Sequence, residues 1–319
     1  MNGLLRSLGR NRSVLFGYVA AVLLLVIVSA LKPGYAGLNH LAVVGIDCAI
    51  LGGVALGQTF VILTGGLDLS IPWIFTSASY LLSMLSGGSN SALLITVPAV
   101  LLICAAMGAL NGAGVAYLGI SPVIMTLGSN TIFQGALVGI TGGRPQAKLP
   151  DLMQTITKGN VIGVPNLIVI WIALIAIATV VLAKTAFGRR VYAIGNSENV
   201  SLFSGINVRR TKLWVYAISG FMAGLSGMLF AGRLGQLYLG MGDPYQLTSI
   251  AAVAVGGASL MGGSGNYVGT VAGTLTIIIL TGLLSAFSLP TSVQQVIYGI
   301  VLFAAVFLAR RSGTVRMPS

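Results

Sequence analysis

Side chains that could carry acid–base or metal chemistry are few in this chain. The 319 residues include five acidic residues and one histidine. The sequence contains no paired carboxylates, no HExxH or GxSxG motif and no metal-ligand cluster, so hydrolytic, acid–base and metal catalysis lack candidates. Cys48 and Cys104 lie in apolar runs without metal-ligand spacing, and His40 opens another apolar run. We therefore expect a chain that is not an enzyme and holds no metal or cofactor of its own.

Charged residues are too scarce for the surface of a soluble protein of this length. They make up 7% of the chain and hydrophobic residues 56%, whereas a soluble domain carries roughly 25% charged residues. We therefore expect most of the surface to face membrane lipid. Most of the 17 basic residues lie near the termini, in 144–158 or in 184–212. Because no basic stripe alternates with aromatic residues, the net charge of +12 does not indicate nucleic-acid binding.

The apolar runs predict an all-α polytopic membrane protein, because about 20 apolar residues span a bilayer as a helix. We predict a single transmembrane domain over 1–319 with about ten membrane-spanning helices; eight is the alternative if a short segment is re-entrant. The predicted spans are 14–31, 40–63, 69–86, 91–117, 122–141, 166–184, 212–232, 246–261, 266–287 and 290–309.

Glycine marks interruptions and close contacts between these helices. Glycine pairs predict broken or re-entrant segments near 64–72 and 246–265, and aligning Gly65-Gly66 with Gly256-Gly257 suggests a duplicated half. Small residues at GxxxG spacing let helices approach closely. We interpret four such spacings as packing within one bundle rather than as a dimer motif: Gly53/Gly57, Gly108/Gly112, Gly220/Gly224 and Gly269/Gly273.

Basic residues also predict orientation, because loops rich in lysine and arginine stay in the cytoplasm. This places an N-terminal arm (1–13), a long loop (185–211) and a C-terminal tail (310–319) in the cytoplasm. Segment 142–165 then lies on the outer side. Six spans before the long loop and four after it are consistent with two cytoplasmic termini.

The long loop contains the only glutamate of the chain, Glu198. It predicts a short helix from about 197 to 204, with Asn196 or Ser197 as the N-cap and Gly205 as the stop. The loop is either a solvated connection whose charges set topology or an element that inserts its apolar side chains into a partner's groove.

Three segments carry a resemblance to a known family. YAIGNSENVSLFSGINVRRTK (192–212), GQTFVILTGGLDLSI (57–71) and AVAVGGASLMGGSGNYVGTVAG (252–273) resemble signatures of permease subunits of bacterial ABC sugar importers of the ribose/xylose/arabinose type, in the same order and spacing. The resemblance implies a multi-pass inner-membrane subunit that works by alternating access. Its implied partners are a second permease copy or paralogue, a cytoplasmic ATPase that binds ATP and Mg²⁺, and a periplasmic sugar-binding protein.

The resemblance also implies that the long loop contacts the ATPase. The chain itself has no GxxxxGK[ST] motif, so ATP hydrolysis would take place on another polypeptide. The candidate coupling residues are Arg189, Arg190, Gly195, Asn196, Glu198, Leu202, Phe203, Gly205 and Arg209.

Polar residues inside the predicted spans are candidates for a substrate pathway. Thr126, Asn130 and Gln134 recur every four residues and so share one helical face, although interhelical hydrogen bonds would explain them equally well. Asp68 either caps a helix that restarts at Pro72, contacts sugar, or pairs with another polar group. The full candidate set is Gln58, Thr59, Thr64, Asp68, Ser70, Trp73, Thr126, Asn130, Phe133 and Gln134.

Other transport functions remain as alternatives. A branched-chain amino-acid permease belongs to a related family, but the spans hold few charges to pair with a zwitterion. A non-ABC channel or proton-coupled carrier would depend on Asp47 or Asp68, the acids within the spans. The sequence leaves open which sugar is carried and whether the permease pair is a homodimer.

Overall fold

The structure, a computed structural model, describes residues 2–144 and 148–311, with side chains described for 14–144, 148–304 and 307. The predicted tail beyond residue 311 lies outside the described residues. The helices are α1 (Asn2–Leu31), α2 (Leu38–Leu63), α3 (Ile71–Ser86), α4 (Leu93–Tyr117), α5 (Pro122–Thr141), α6 (Asp151–Lys158), α7 (Asn166–Lys184), α8 (Ala186–Asn196), α9 (Glu198–Phe203), α10 (Val208–Leu234), α11 (Tyr245–Val255), α12 (Tyr267–Ala286) and α13 (Thr291–Arg311). A hairpin of two-residue strands, β1 (Asn160–Val161) and β2 (Val164–Pro165), precedes α7.

The architecture confirms the predicted all-α polytopic membrane fold. Within the described residues, seven helices are long and apolar enough to cross a bilayer: α1 from Val14 onward, α2, α4, α5, α7, α10 and α12. The shorter apolar helices α3, α11 and the first part of α13 correspond to the other three predicted spans. The predicted eighth span is wrong in its extent, because its helix ends at Val255 and an irregular segment follows to Asn266.

The long helix α10 lies at the centre of the bundle and packs against α4, α2 and α3. Its contact with α4 is made by glycines from both helices. A Cβ on Gly108 would overlap the carbonyl oxygen of Tyr216, and a Cβ on Gly220 would overlap the carbonyl oxygen of Cys104. Backbones approach this closely only where side chains are absent. The GxxxG spacings of α4 and α10 therefore serve packing within the chain, as the sequence predicts.

Helices α2 and α11 end in the same way, at the two predicted breaks. In α2 the Gly66 amide donates to the Val61 carbonyl at 3.1 Å; in α11 the Ala258 amide donates to the Val253 carbonyl at 3.2 Å. The residue before each donor, Gly65 or Gly257, has a left-handed backbone with φ of 79° or 84°. This is the Schellman arrangement that glycine favours. In the structure Gly65 therefore corresponds to Gly257, whereas the sequence alignment of the glycine pairs matched Gly65 with Gly256.

The chain between α10 and α11 folds back into the bundle. Gly232, near the end of α10, packs against Thr157 of α6. Ten residues later, the Gly242 amide donates to the Thr76 hydroxyl at 3.2 Å, and a Cβ on Gly242 would overlap the carbonyl oxygen of Pro72. Helix α11 consequently begins beside the first turns of α3, inside the bundle, which explains why it has only 11 residues.

Candidate functional site

Asp68 is completely buried in the non-helical stretch between α2 and α3. Its Oδ1 accepts hydrogen bonds from the backbone amide of Ser70 at 3.0 Å and from the Ser70 hydroxyl at 2.6 Å. Its Oδ2 accepts from the Ser219 hydroxyl of α10 at 2.6 Å. An aspartate that binds the amide two residues ahead is a common way to turn the chain. The prediction that Asp68 caps α3 is wrong, because the N-cap residue is Ser70 and no side chain caps this helix. Asp68 instead turns the chain ahead of α3 and joins the break to α10.

The hydrogen bonds of Asp68 extend into a wider polar cluster. The Asn111 side chain of α4 donates to the Ser70 hydroxyl at 2.7 Å. The hydroxyls of Tyr216 and Thr126 each lie 3.4 Å from the Leu67 carbonyl oxygen, which adds α5 to the cluster. Buried polar groups are stable only when they are paired. The cluster therefore fixes the break to α4, α5 and α10 at once.

Asn111 and Ser219 are members of this cluster that sequence reasoning missed. They lie 41 and 151 residues from their partners in the chain. Asn111 is the only amide side chain of α4, and Ser219 is one of several small polar residues of α10, so no local spacing distinguishes either from a residue that only supports helix packing.

Most of the other predicted pathway residues are buried in contacts within the chain. Thr59 hydrogen-bonds to Ala55 and Thr270, Thr64 bonds to Val61 at the end of α2, and Trp73 lies in the main core. Gln58 is fully buried, yet neither atom of its amide has a hydrogen-bond partner among the described residues.

Thr126, Asn130 and Gln134 form a polar stripe on α5 that runs from the interior to the surface. Thr126 is buried, Asn130 is partly buried and Gln134 is exposed. Phe133 is partly buried against the main core. α5 packs on α3 and α4 only along a narrow face, and a Cβ on Gly128 or Gly135 would meet open space. The outer part of the stripe is therefore the part that a solute or a second copy could reach.

The long loop forms two helices rather than the single one predicted. The expected helix is α9, where the Ser197 hydroxyl accepts from the Val200 amide at 3.4 Å and Gly205 follows with a φ of 78°. The helix before it, α8, was missed. Its N-cap is Thr185, whose hydroxyl accepts from the Gly188 amide. Helix α8 was missed because Thr185 directly follows Lys184, the last residue of α7. A capping residue at that position is easily taken for the end of α7.

The predicted coupling residues of α9 project from the molecule. Leu202 is 60% exposed and Phe203 88% exposed. Glu198 forms an ion pair with Lys212 of α10 at 2.6 Å. Arg189 and Arg190 on α8 are exposed, and the Arg209 guanidinium lies 6.0 Å from the ring centre of Tyr117.

The end of α8 touches both breaks. The Gly263 amide donates to the Leu63 carbonyl at 3.0 Å, so the two broken segments contact each other. A Cβ on Gly195 would overlap both the Leu63 carbonyl oxygen and the Gly263 amide nitrogen. The next residue, Asn196, lies against Gly263. Of the predicted coupling residues, Gly195 and Asn196 therefore link the loop to the membrane-embedded part of the bundle.

Comparisons of the sequence with known proteins identify the family of this chain. A family model described as branched-chain amino acid transport system / permease component matches residues 41–306. The ribose import permease protein RbsC of Haemophilus influenzae is 33% identical over 94% of each chain, and that of Bacillus subtilis is 36% identical over 92% of each chain. The autoinducer 2 import system permease protein LsrC of Shigella flexneri is 31% identical over 95% of this chain and 88% of its own. No solved structure gives a significant match.

The polytopic fold, its paired breaks and the projecting loop define a membrane permease subunit. The chain belongs to the family of permease components of branched-chain amino acid-type transport systems. It is the non-hydrolysing transport subunit of an ABC importer.

Proposed function

We propose that this permease imports a monosaccharide, with ribose as the first candidate. The observation that carries the proposal is its similarity, over more than nine-tenths of both chains, to ribose import permeases from Haemophilus influenzae and Bacillus subtilis. An alignment of this length includes both breaks, the long loop and α5, so the similarity is not confined to a single motif. The autoinducer 2 relative makes that compound a second candidate cargo.

The ATPase would dock on α9 of the long loop. The exposed side chains of Leu202 and Phe203 form an apolar projection that could insert into a groove on a partner. Movement of the loop would reach the membrane part through Gly195, which lies against both breaks. ATP and Mg²⁺ would bind the ATPase chain, and a periplasmic binding protein would deliver the sugar.

The orientation follows from this docking. If the loop faces the cytoplasm, the two breaks lie towards the cytoplasmic side, and α6 with the β1–β2 hairpin lies towards the periplasm. Both termini are then cytoplasmic, in agreement with their basic residues.

The pathway would run along α5, beside α5 of a second permease copy or a paralogue. Asn130 and Gln134 offer hydrogen-bond donors and acceptors there, and Phe133 offers an aromatic ring. Asp68 would act as a positioning residue, since its carboxylate holds the break to α10 and is shielded from the surface.

The test is reconstitution of the complete transporter in liposomes with its ATPase and binding protein. We expect ATP-dependent uptake of radiolabelled ribose and little uptake of leucine. Uptake of autoinducer 2 alone would select the second candidate. ATP-dependent uptake of leucine without ribose would overturn the proposal in favour of an amino-acid permease.

A further inference from the structure

A cavity of about 670 Å³ lies between α2, α11, α12 and α13, away from α5. Its wall includes residues from the turn before α2, from the start of α11, from the second half of α12 and from the start of α13. The opposite end of α2, at Leu63, contacts α8. The cavity therefore opens at the end of the bundle that is remote from the coupling loop.

The cavity reaches deep into the membrane part of the chain. Asp47 lines it nine residues into α2, roughly 14 Å along the helix axis at 1.5 Å per residue. The non-helical residues Asp243 and Pro244 also line it, just before α11 starts beside α3. Irregular backbone at membrane depth is tolerated where protein or a water-filled cavity satisfies it. Discontinuous helices of this kind mark ligand sites in transporters.

The polar groups of the cavity have spare hydrogen-bonding capacity. Tyr35 is 4% exposed, and its hydroxyl has no partner among the described residues. The Nε2 atom of His40 is likewise buried without a partner there, and the two rings lie 4.2 Å apart. Asp47 and Asp243, two of the five acidic residues, are exposed at the cavity, whereas the lining residues that the structure describes include no lysine or arginine.

These groups decide what kind of ligand is complementary to the cavity. The carboxylates accept hydrogen bonds, whereas the Tyr35 hydroxyl needs an acceptor. A simple cation has no acceptor for the hydroxyl, and a hydrocarbon chain has neither kind of group. A neutral polyhydroxylated molecule supplies donors and acceptors on every carbon, and its C–H faces suit the rings of Tyr35, Tyr245 and Tyr298 on the wall.

The inner end of the cavity is closed. Leu51 of α2 lines the cavity and also belongs to a hydrophobic cluster with Ala55, Ile62 and residues Ile250 to Val253 of α11. Gln58 lies on the same helical face between Ala55 and Ile62. A ligand in the cavity is thus separated by this cluster from the breaks and the coupling loop.

We propose that this cavity is a sugar-binding site within the single permease chain, reached from the side opposite the coupling loop and distinct from the α5 pathway. The inference rests on the proposed function, because it takes the cargo to be a sugar. Asp47 and Tyr35 are the residues that would bind hydroxyl groups of the sugar.

Thiol labelling tests the site directly in the complete transporter held in lipid nanodiscs. The native Cys48 and Cys104 are buried, so an introduced cysteine gives the signal. Gln295 is exposed and lines the cavity; Ser292, on the same helix, is exposed and does not line it. We expect ribose to slow the reaction of a charged methanethiosulfonate reagent with Gln295→Cys severalfold and to leave Ser292→Cys unchanged.

Two further variants separate binding from folding. In a Gln295→Cys background, Asp47→Asn and Tyr35→Phe each preserve shape and remove one hydrogen-bonding function. Each should raise the ribose concentration that gives half protection by about tenfold, the usual effect of losing a hydrogen bond to a ligand. An unchanged melting temperature shows that the variants are folded.

The outcomes separate this inference from the proposed function. Uptake of ribose without protection of Gln295→Cys would overturn the cavity site and leave the transport function intact. Protection without ATP-dependent uptake would support the cavity and overturn the transport function. Protection by tetramethylammonium but not by ribose would show a cation site and overturn the inference, as would equal protection at Ser292→Cys.

Discussion

At the scale of residues, a single buried carboxylate stabilises the non-helical stretch between α2 and α3. Asp68 receives three hydrogen bonds, from two atoms of Ser70 and one of Ser219. Hydrogen bonds to a charged group typically stabilise by about 1.5–3 kcal/mol each, and unpaired buried donors cost similar amounts. Of the roles that the sequence allowed, the geometry gives the acid polar pairing and not capping, because Ser70 is the N-cap of α3 and no side chain caps the helix. The carboxylate is fully buried in the single chain.

Asp68→Asn should therefore retain partial transport. The asparagine oxygen still accepts from the Ser70 amide, and its amide group faces the Ser219 hydroxyl in place of Oδ2. Asp68→Ala leaves both serines without that acceptor and should lower stability by about 1–3 kcal/mol. Uptake in vesicles and melting temperature in detergent measure both effects. Complete loss of uptake in Asp68→Asn, at normal expression and melting temperature, would indicate direct contact with substrate instead.

Gly195→Ala should uncouple the loop from the breaks. The added methyl group would overlap backbone atoms of Leu63 and Gly263, which have no flexible side chain to move aside. We expect ATPase activity to persist while uptake falls at least about tenfold, the equivalent of about 1.4 kcal/mol in coupling. Gly299→Ala is the matched control, since a Cβ there meets open space. Equal uptake by the two variants would contradict the coupling role of this contact.

At the scale of elements, the long loop combines a fixed helix with a projecting one. α8 packs on α7 and on the breaks, whereas α9 is joined to α10 chiefly by the Glu198–Lys212 pair. The Glu198 side chain is 56% exposed, and an ion pair that is open to solvent on one side contributes about 0–1 kcal/mol. The position of α9 is thus weakly fixed by its own chain, as expected for an element that a partner completes.

Glu198→Arg should abolish uptake with a normal amount of protein in the membrane. It removes the ion pair and places two positive charges together, those of the new arginine and of Lys212, at a surface that would bind the ATPase. The double variant Glu198→Arg with Lys212→Glu restores the pair with reversed charges. Recovery of uptake in the double variant would show that Glu198 positions α9, and continued loss would show that it contacts the ATPase. Normal sugar-dependent ATPase activity in Glu198→Arg would contradict both roles.

Phe203→Ala should reduce co-purification of the ATPase without altering the stability of the permease. The ring is 88% exposed, so its removal leaves no cavity in the chain. Ile162→Ala provides the control, because Ile162 is an apolar residue that is 98% exposed in the β1–β2 hairpin. Equal recovery of ATPase with both variants would exclude α9 as the docking helix.

At the scale of the whole molecule, the bundle is heavily packed around α10 and lightly packed at several outer helices, of which α5 is one. α10 is enclosed by α2, α3 and α4, while much of α5 remains exposed in the single chain. Residues on the exposed face of α5 include polar Gln134 and several glycines, which is unusual for a surface that meets only lipid. A second permease chain is the partner that our proposed function requires there.

Gln134→Cys should form a disulfide-linked dimer on mild oxidation in membranes. The prediction follows if the α5 helices of two copies flank a common pathway. Ile172→Cys, on the exposed face of α7, is the control and should stay monomeric. A crosslink at position 172 but not at 134 would place the second copy on a different face of the bundle.

Composition and hydropathy by themselves determined the membrane environment, the approximate ends of nearly every long helix, and the breaks at the glycine pairs. These are local properties: an apolar run must be a helix in lipid, and adjacent glycines with a capping residue end it. The short helix α9 was also predictable, because its N-cap and its terminating glycine lie within ten residues of each other.

Only the tertiary structure decided where the polar groups of the spans point. Whether Asp68 faces a solute or Ser219 depends on a residue 151 positions away. Similarly, the cavity beside Asp47 exists because the chain after α10 folds back to Pro72, which shortens α11. Such contacts depend on how helices with similar apolar faces pack against each other, and no periodicity in a single helix specifies that choice.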